Sequence, residues 1–290
     1  MSRASIVGML IAAEILIAGL AIYTVAGHGR TFAGGIHSVD FAAAPLAPIA
    51  AGSAPHVVID DVESRVEVNA SNDGLVHVRD LTQFHGAFLS SAKYSQLTVG
   101  RISDGVRIER PQLGNVSLGI FGFSIQRIQV DVPENARLEI ARCSGADVQG
   151  ITGGVSVHSV DGHVTLADVR GSVEARSDDG RIQLENVAAT SLIADTRDGR
   201  IEASGLNVGG DATLQTADGP IRVALVRDAD VTIDASTRDG RISVDGNSLD
   251  RDDVAQRTIR LGGGAARMTL STDDGSIHIL TNGEPYDHGF

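Results

Sequence analysis

From residue 155 to residue 280, apolar and polar side chains alternate with a period of two, and the alternation restarts about every 20 residues. Each restart carries an Asp-Gly pair: Asp161-Gly162, Asp179-Gly180, Asp198-Gly199, Asp218-Gly219, Asp239-Gly240 and Asp274-Gly275. The glycines are 18, 19, 20, 21 and 35 residues apart. Counted from each glycine, position −7 is Val155, Val173, Leu192, Ala212, Ile233 or Met268, and position −5 is Val157, Ala175, Ala194, Leu214, Ala235 or Leu270. Position +2 is Val164, Ile182, Ile201, Ile221, Ile242 or Ile277, and position +4 is Leu166, Leu184, Ala203, Val223, Val244 or Ile279. Position −3 is always a small hydroxyl: Ser159, Ser177, Thr196, Thr216, Thr237 or Thr272. This alternation predicts a short strand on each side of every Asp-Gly.

Two architectures fit that pattern. Asp-Gly between alternating strands is a strong hairpin signal and would give an antiparallel meander. Hairpins, however, give no reason for every copy to hold the same residue at the same place. Stacked coils do, because parallel strands about 4.8 Å apart bring equivalent side chains into columns. The expectation is therefore an all-β fold, a right-handed parallel β-helix or solenoid with coils of about 20 residues. Asp-Gly is the bend inside each coil, with glycine at positive φ and aspartate capping the bend. The −3 hydroxyls share the parity of the apolar positions and should line one inner corner.

The rest of the chain frames these coils. Residues 1–27 read as a transmembrane signal-anchor helix, because Ile6–Ala26 is an apolar run with a single charge, Glu14, and is long enough to span hydrocarbon. Cleavage after Ala26 is the alternative. Residues 28–55, rich in Ala, Gly and Pro, read as a tether. Residues 56–132 alternate without the repeat's register and hold most of the aromatics outside the ends, so they read as N-terminal strands and cap of the solenoid. The alternative for Leu118–Phe123 within them is an exposed apolar loop, with Phe121 and Phe123 offered to a partner or a membrane. Residues 133–280 hold the regular coils, ending at Leu280 and interrupted at Leu249–Gly264, and 281–290 form a loose tail.

Composition narrows the function. A net charge of −13 argues against nucleic-acid binding. Stacked aspartates raise calcium as a ligand, but the calcium-binding nonapeptide is missing, and Arg181, Arg200 and Arg241 after the glycines, with Arg197 and Arg238 before the aspartates, point instead to an Arg–Asp stripe. No cofactor, metal site or catalytic residue is expected. His158 and His163 flank one bend without metal-ligand spacing, and Cys143 reads as a buried small hydrophobe.

The run Val130–Leu138, then Ser144-Gly145 and the six Asp-Gly copies, resembles the bacterial putative-adhesin family of exported β-strand-repeat proteins across about Val57–Leu280. The resemblance implies a β-helical domain outside the cytoplasm and brings no catalytic motif with it. The expectation is a membrane-anchored extracytoplasmic scaffold in the cell envelope, tethered through residues 6–26. It would meet an envelope protein or surface ligand through outward residues such as Arg181, Glu185, Arg200, Glu202, Arg222 and Arg241. Two alternatives stand: a solenoid that polymerises end to end, as bactofilin-type solenoids do, if its last coil at Ser276–Leu280 is uncapped; and a polysaccharide-active enzyme, if carboxylates converge in a groove.

Overall fold

The computed structural model describes residues 37–40, 46–52, 54–88, 97–110, 119–245, 247–248 and 255–281. Residues 6–26, expected to be a signal anchor, and residues 282–290 lie outside the described residues, and of residues 28–55 only parts are described, including two short strands, His37–Asp40 and Ile49–Ala50. Among the described residues there is no helix, hence none able to cross a membrane.

The strands stack in nine levels, each of two strands, one in a first sheet and one in a second. Along the rod the levels run as follows. Level one is Gly105–Glu109 with Arg127–Pro133, and level two is His56–Asp60 with Arg65–Ser71. Level three is Arg137–Cys143 with Gly145–Gln149, and level four is Val155–Ser159 with Val164–Ala167. Level five is Arg170–Ser177 with Ile182–Glu185, and level six is Ala188–Asp198 with Ile201–Val208. Level seven is Asp211–Asp218 with Ile221–Leu225, level eight is Ala266–Asp274 with Ile277–Leu280, and level nine is Val231–Asp239 with Ile242–Val244.

All pairings between neighbouring levels are parallel and in repeat register. In the first sheet Val155, Val173, Leu192, Ala212, Met268 and Ile233 form one column. In the second, Val164, Ile182, Ile201, Ile221, Ile277 and Ile242 form another. Of the repeat's apolar positions all but Val244, on the terminal level, are buried to 3% exposure or less. The core is therefore a slab of Val, Ile, Leu and Ala between two parallel sheets, and burial on the inner face of each strand fixes the register.

The spatial order of levels departs from the chain order at both ends. The repeat ending at Leu280 is not the last coil: it lies between levels seven and nine. After level seven the chain passes to level nine and doubles back antiparallel through Asn247–Ser248 and Ala255–Arg260, which cover that end. Only then does it fill level eight. At the opposite end, level two comes first in the chain, followed by Leu75–Asp80 and Thr98–Ile102, antiparallel strands that cover level one. Ile49–Ala50 extends Leu75–Asp80. Thr98–Ile102 and Asn247–Ser248 are hairpin neighbours of the terminal strands that they cover, whereas Leu75–Asp80 reaches Arg127–Pro133 across the arm and Thr98–Glu109. Residues 56–132 thus contribute two complete levels as well as the cover.

A three-stranded antiparallel arm leaves the rod at the level-one end. It pairs His37–Asp40 with Gln83–Phe88, and Gln83–Phe88 with Gly119–Ile125. Phe121 and Phe123 thus belong to a strand rather than a loop.

Candidate functional site

Each Asp-Gly bend carries the chain from the first sheet to the second, and bends of successive levels lie directly upon one another. The −3 hydroxyls are buried and knit them together. Ser177 Oγ donates to the Gly162 carbonyl at 3.2 Å, Thr196 Oγ1 to Gly180 at 3.1 Å, and Thr216 Oγ1 to Gly199 at 2.9 Å. Thr272 Oγ1 donates to Gly219 at 3.0 Å and Thr237 Oγ1 to Gly275 at 2.8 Å, which follows the spatial order rather than the chain order. Ser159, at the start of the ladder, accepts from the Gly162 N–H at 3.1 Å.

The glycines are required by this stacking and not by positive φ, contrary to the expectation from sequence. Of the six, only Gly219 has positive φ, +150°. A Cβ on Gly180 would stand 2.2 Å from the Gly162 carbonyl oxygen, one on Gly199 2.1 Å from that of Gly180, and one on Gly275 2.0 Å from that of Gly219. The positive-φ corner is elsewhere, six residues after the bend glycine. Asp168 (54°), Asn186 (53°) and Gly205 (66°) occupy it in successive levels. Gly, Asn and Asp are the residues that tolerate this conformation, so the Gly/Asn/Asp column at that offset is the sequence signal of this corner.

The bend aspartates all face solvent, with Asp198, Asp218, Asp274 and Asp239 in adjacent register. A hydrogen bond shared with the Asp198 carboxyl, reinforced by desolvation and by the charges of Asp198, Asp274 and Asp273, raises the Asp218 pKa. The expected Arg–Asp stripe does not form: among the described residues no arginine lies within ion-pair distance of the six bend aspartates. Arg238 pairs with Asp273, one position earlier in the bend, at 3.1 Å. Arg181 and Arg200 turn onto the second sheet instead, because position +1 shares the outward parity of position +3, where Glu202 stands.

There the structure gathers three arginines around one carboxylate. Arg222 Nη1 donates to Glu202 Oε1 at 2.8 Å, Arg181 Nε lies 3.8 Å from Oε2, and Arg200 Nη1 lies 3.9 Å from Oε1. Arg181 Nε is buried with no hydrogen-bond partner. The neighbouring His278 donates to or accepts from Ser243 Oγ at 2.7 Å, and burial followed by the Arg222 charge lowers its pKa. Arg241 lies on level nine, separated from Arg200 by the levels of Pro220 and Ser276. The cluster therefore joins Arg181, Arg200 and Arg222 and leaves Arg241 apart. It is a half-exposed patch with an excess of guanidinium on an acidic protein, suited to hydrogen-bonding planar anionic groups.

A second charged group was not found from the sequence. Arg110, 7% exposed at its side chain, donates from Nε to Asp61 Oδ2 at 2.6 Å and from Nη1 to Asp80 Oδ2 at 3.1 Å. Ser64 Oγ donates to Asp61 at 2.7 Å, and Thr82 donates to Asp80 from Oγ1 at 2.6 Å and from its backbone N–H at 3.1 Å. This buried triad ties together the ends of three strands where the arm leaves the rod. Its members are 19 and 30 residues apart, with no periodicity to betray them. Cys143 is fully buried, and desolvation pushes its thiol up to about 11, which makes it a poor nucleophile at neutral pH. Among the described residues, no group of three or more His, Cys, Asp and Glu side chains is placed to hold a metal ion.

The family model described as Toastrack DUF4097 matches residues 55–280, from the start of level two to the end of level eight. No curated protein matches the chain. Two solved structures are similar over most of their length. One is a putative cell adhesion protein from Clostridium sporogenes, with 12% identity, 78% of this chain and 92% of that one covered, and a TM-score of 0.36. The other is a putative adhesin from Bacteroides fragilis, with 10% identity, 80% and 95% covered, and a TM-score of 0.28.

Proposed function

The chain belongs to the Toastrack DUF4097 family, and from that premise we propose that it is a non-catalytic interaction scaffold of the cell envelope, anchored in a membrane by residues 6–26 with the rod outside the cytoplasm. The observation that carries this reading is the Arg181–Arg200–Arg222 cluster on Glu202, set on a second sheet nine levels tall. A rigid face of this kind recognises a partner without rearrangement, so little affinity is lost to ordering. The reading is supported further by chemistry that is spread along the rod rather than focused: bend carboxylates recur at one exposed position on each of levels four to nine.

End-to-end polymerisation is not favoured. The coil at Ser276–Leu280 is interior, both terminal levels are covered by antiparallel strands, and the outermost strands carry exposed Arg101, Arg257 and Arg260, which blunt a sheet edge.

The test is a photo-crosslinking residue placed at Arg200 in the full chain in its native cells, with the same residue at Ile193 on the first sheet as reference. Discrete adducts at Arg200, lost in an Arg181→Glu/Arg222→Glu background, are the expected result. A smear of bulk neighbours, the same at both positions, would remove the scaffold reading.

A further inference from the structure

The apolar side chains that the rod leaves in water are not evenly distributed. Of the four large hydrophobics exposed among the described residues, Leu46 (37%), Leu81 (41%) and Ile125 (47%) all lie at the level-one end, and only Ile193 (39%) lies midway along the rod. Leu46 N–H donates to the Val78 carbonyl on the covering strand, and Leu81 N–H donates to the Arg127 carbonyl of level one. Leu81 and Ile125 stand at the base of the arm, where Gln83 pairs with Ile125.

The arm itself is depleted of charge. In a chain that is 21% charged, Gln83–Phe88 and Gly119–Ile125 contain no Asp, Glu, Lys or Arg and hold Phe84, Phe88, Phe121 and Phe123, while the third strand, His37–Asp40, holds one charged residue, Asp40, in register with Gln83 and Ile125 at the base of the arm. The register sets Phe123 across from His85 and Phe121 across from Ala87, so these positions share one face with Ile125 by the two-residue period of a strand. The arm's remaining strand, His37–Asp40, is also the first described segment of the chain. Ten residues, 27–36, separate it from the apolar run Ile6–Ala26. Fully extended, ten residues reach roughly 35 Å. A bilayer spanned by Ile6–Ala26 would therefore keep the arm within about 35 Å of its surface.

We propose that the three-stranded arm rests on the lipid bilayer that anchors the chain, through the face carrying positions 121, 123 and 125, so that the rod stands with level one toward the membrane and level nine away from it. Two strands without charge, with the single Asp40 at the base beside the rod, fit the interfacial zone of a bilayer, where burying apolar surface is favourable and burying charge is not. A folded partner domain would instead be expected to read charge or hydrogen bonds from the contacting strands. The two-point attachment, anchor plus arm, fixes the direction in which the second-sheet face is presented. The inference rests on the anchored reading above.

The test uses the full chain reconstituted in phosphatidylcholine/phosphatidylglycerol vesicles, with Cys143→Ala as background and an environment-sensitive dye on Leu81→Cys, Ile125→Cys or Ile193→Cys. Nitroxide-labelled lipids should quench the dye at positions 81 and 125 several-fold more strongly than at 193. A Phe121→Glu/Phe123→Glu pair should abolish that difference while leaving the melting temperature of the rod unchanged. If the chain floats with the vesicles and all three positions are quenched alike, the arm proposal is overturned and the anchor stands. A dye at 125 that is shielded from water yet unquenched, with crosslinked dimers, would assign the face to a second copy and also overturn it. If the chain does not float at all, the anchored reading fails and takes the arm with it.

Discussion

Gly199→Ala isolates the force that spaces the levels. The added Cβ would lie 2.1 Å from the Gly180 carbonyl oxygen, 2.8 Å from its carbon and 2.9 Å from Thr196 Oγ1. Two of these atoms are backbone and cannot rotate away. Restoring ordinary contact requires about 1.3 Å of separation between levels normally about 4.8 Å apart. That displacement falls on inter-level bonds beside the bend: Thr196 Oγ1 to Gly180 O at 3.1 Å, Ile182 N to Arg200 O at 3.0 Å and Asp198 N to Asp178 O at 3.3 Å. Two or three such bonds at about 1 kcal/mol each, added to the strain of overpacking, give a loss of about 3 kcal/mol. For a rod of this size, that corresponds to a fall of roughly 6–12 °C in melting temperature. Thermal denaturation measures the total, and hydrogen exchange should place the loss at levels five to seven. Gly100→Ala is the control: its Cβ meets nothing within 4 Å and should change stability by less than about 0.5 kcal/mol. Gly199→Asn separates steric from conformational explanations, because Asn tolerates positive φ but keeps its Cβ. If Gly199→Asn melts with the wild type, the stacking account is refuted.

Arg110→Met leaves Asp61 and Asp80 buried without their shared counter-charge and should cost about 3–5 kcal/mol, read as a lower denaturant midpoint; a change under about 1 kcal/mol would mean that the triad is solvated. Asp218 has its carboxyl pKa raised by Asp198, so its ionisation is harder folded than unfolded: the associated stability is present at acid pH and lost as pH rises through the raised value. Asp218→Asn should therefore raise the melting temperature at pH 7 and lose that advantage toward pH 4, and an equal effect at both pH values would refute the column's repulsion. Asp73 is the opposite case: the His77 hydrogen bond, with the Leu75 N–H, lowers it from 3.8 to about 2, so its contribution holds above the ordinary value and fades as pH falls toward 2. Carboxyl titration by NMR should give a midpoint near 2, moving up toward the ordinary value in His77→Ala. Ending the chain after Gly264 removes level eight from between seven and nine, so residues 226–264 should become the preferred site of proteolysis; a protected 226–264 would mean that level nine docks directly on level seven.

The coil, its period and its inward positions were legible in the sequence because each level obeys the same local rule. Alternation fixes which side chains face the core, and the repeat fixes which residues meet across levels. That rule could not order the levels. Val155, Ile233 and Met268 suit the same column equally well, and only the antiparallel return through Ala255–Arg260 decides that Met268 lies between Ala212 and Ile233. For the same reason the charged sites were read in part. Glu202 and its arginines were visible as outward residues, but which carboxylate captured Arg181 and Arg200 depended on distance across the sheet, and the bend aspartates two residues away in sequence proved out of reach. The Asp61–Arg110–Asp80 triad was invisible from sequence, since three strand ends meet there only when the chain has closed the level-one end. Even the bend glycines, conspicuous in the sequence, had a reason set by the next level: a neighbouring carbonyl about 2 Å from where a side chain would begin. What repeats along the chain was thus determined by the chain alone, and what happens where the repetition stops was decided by how the ends are closed.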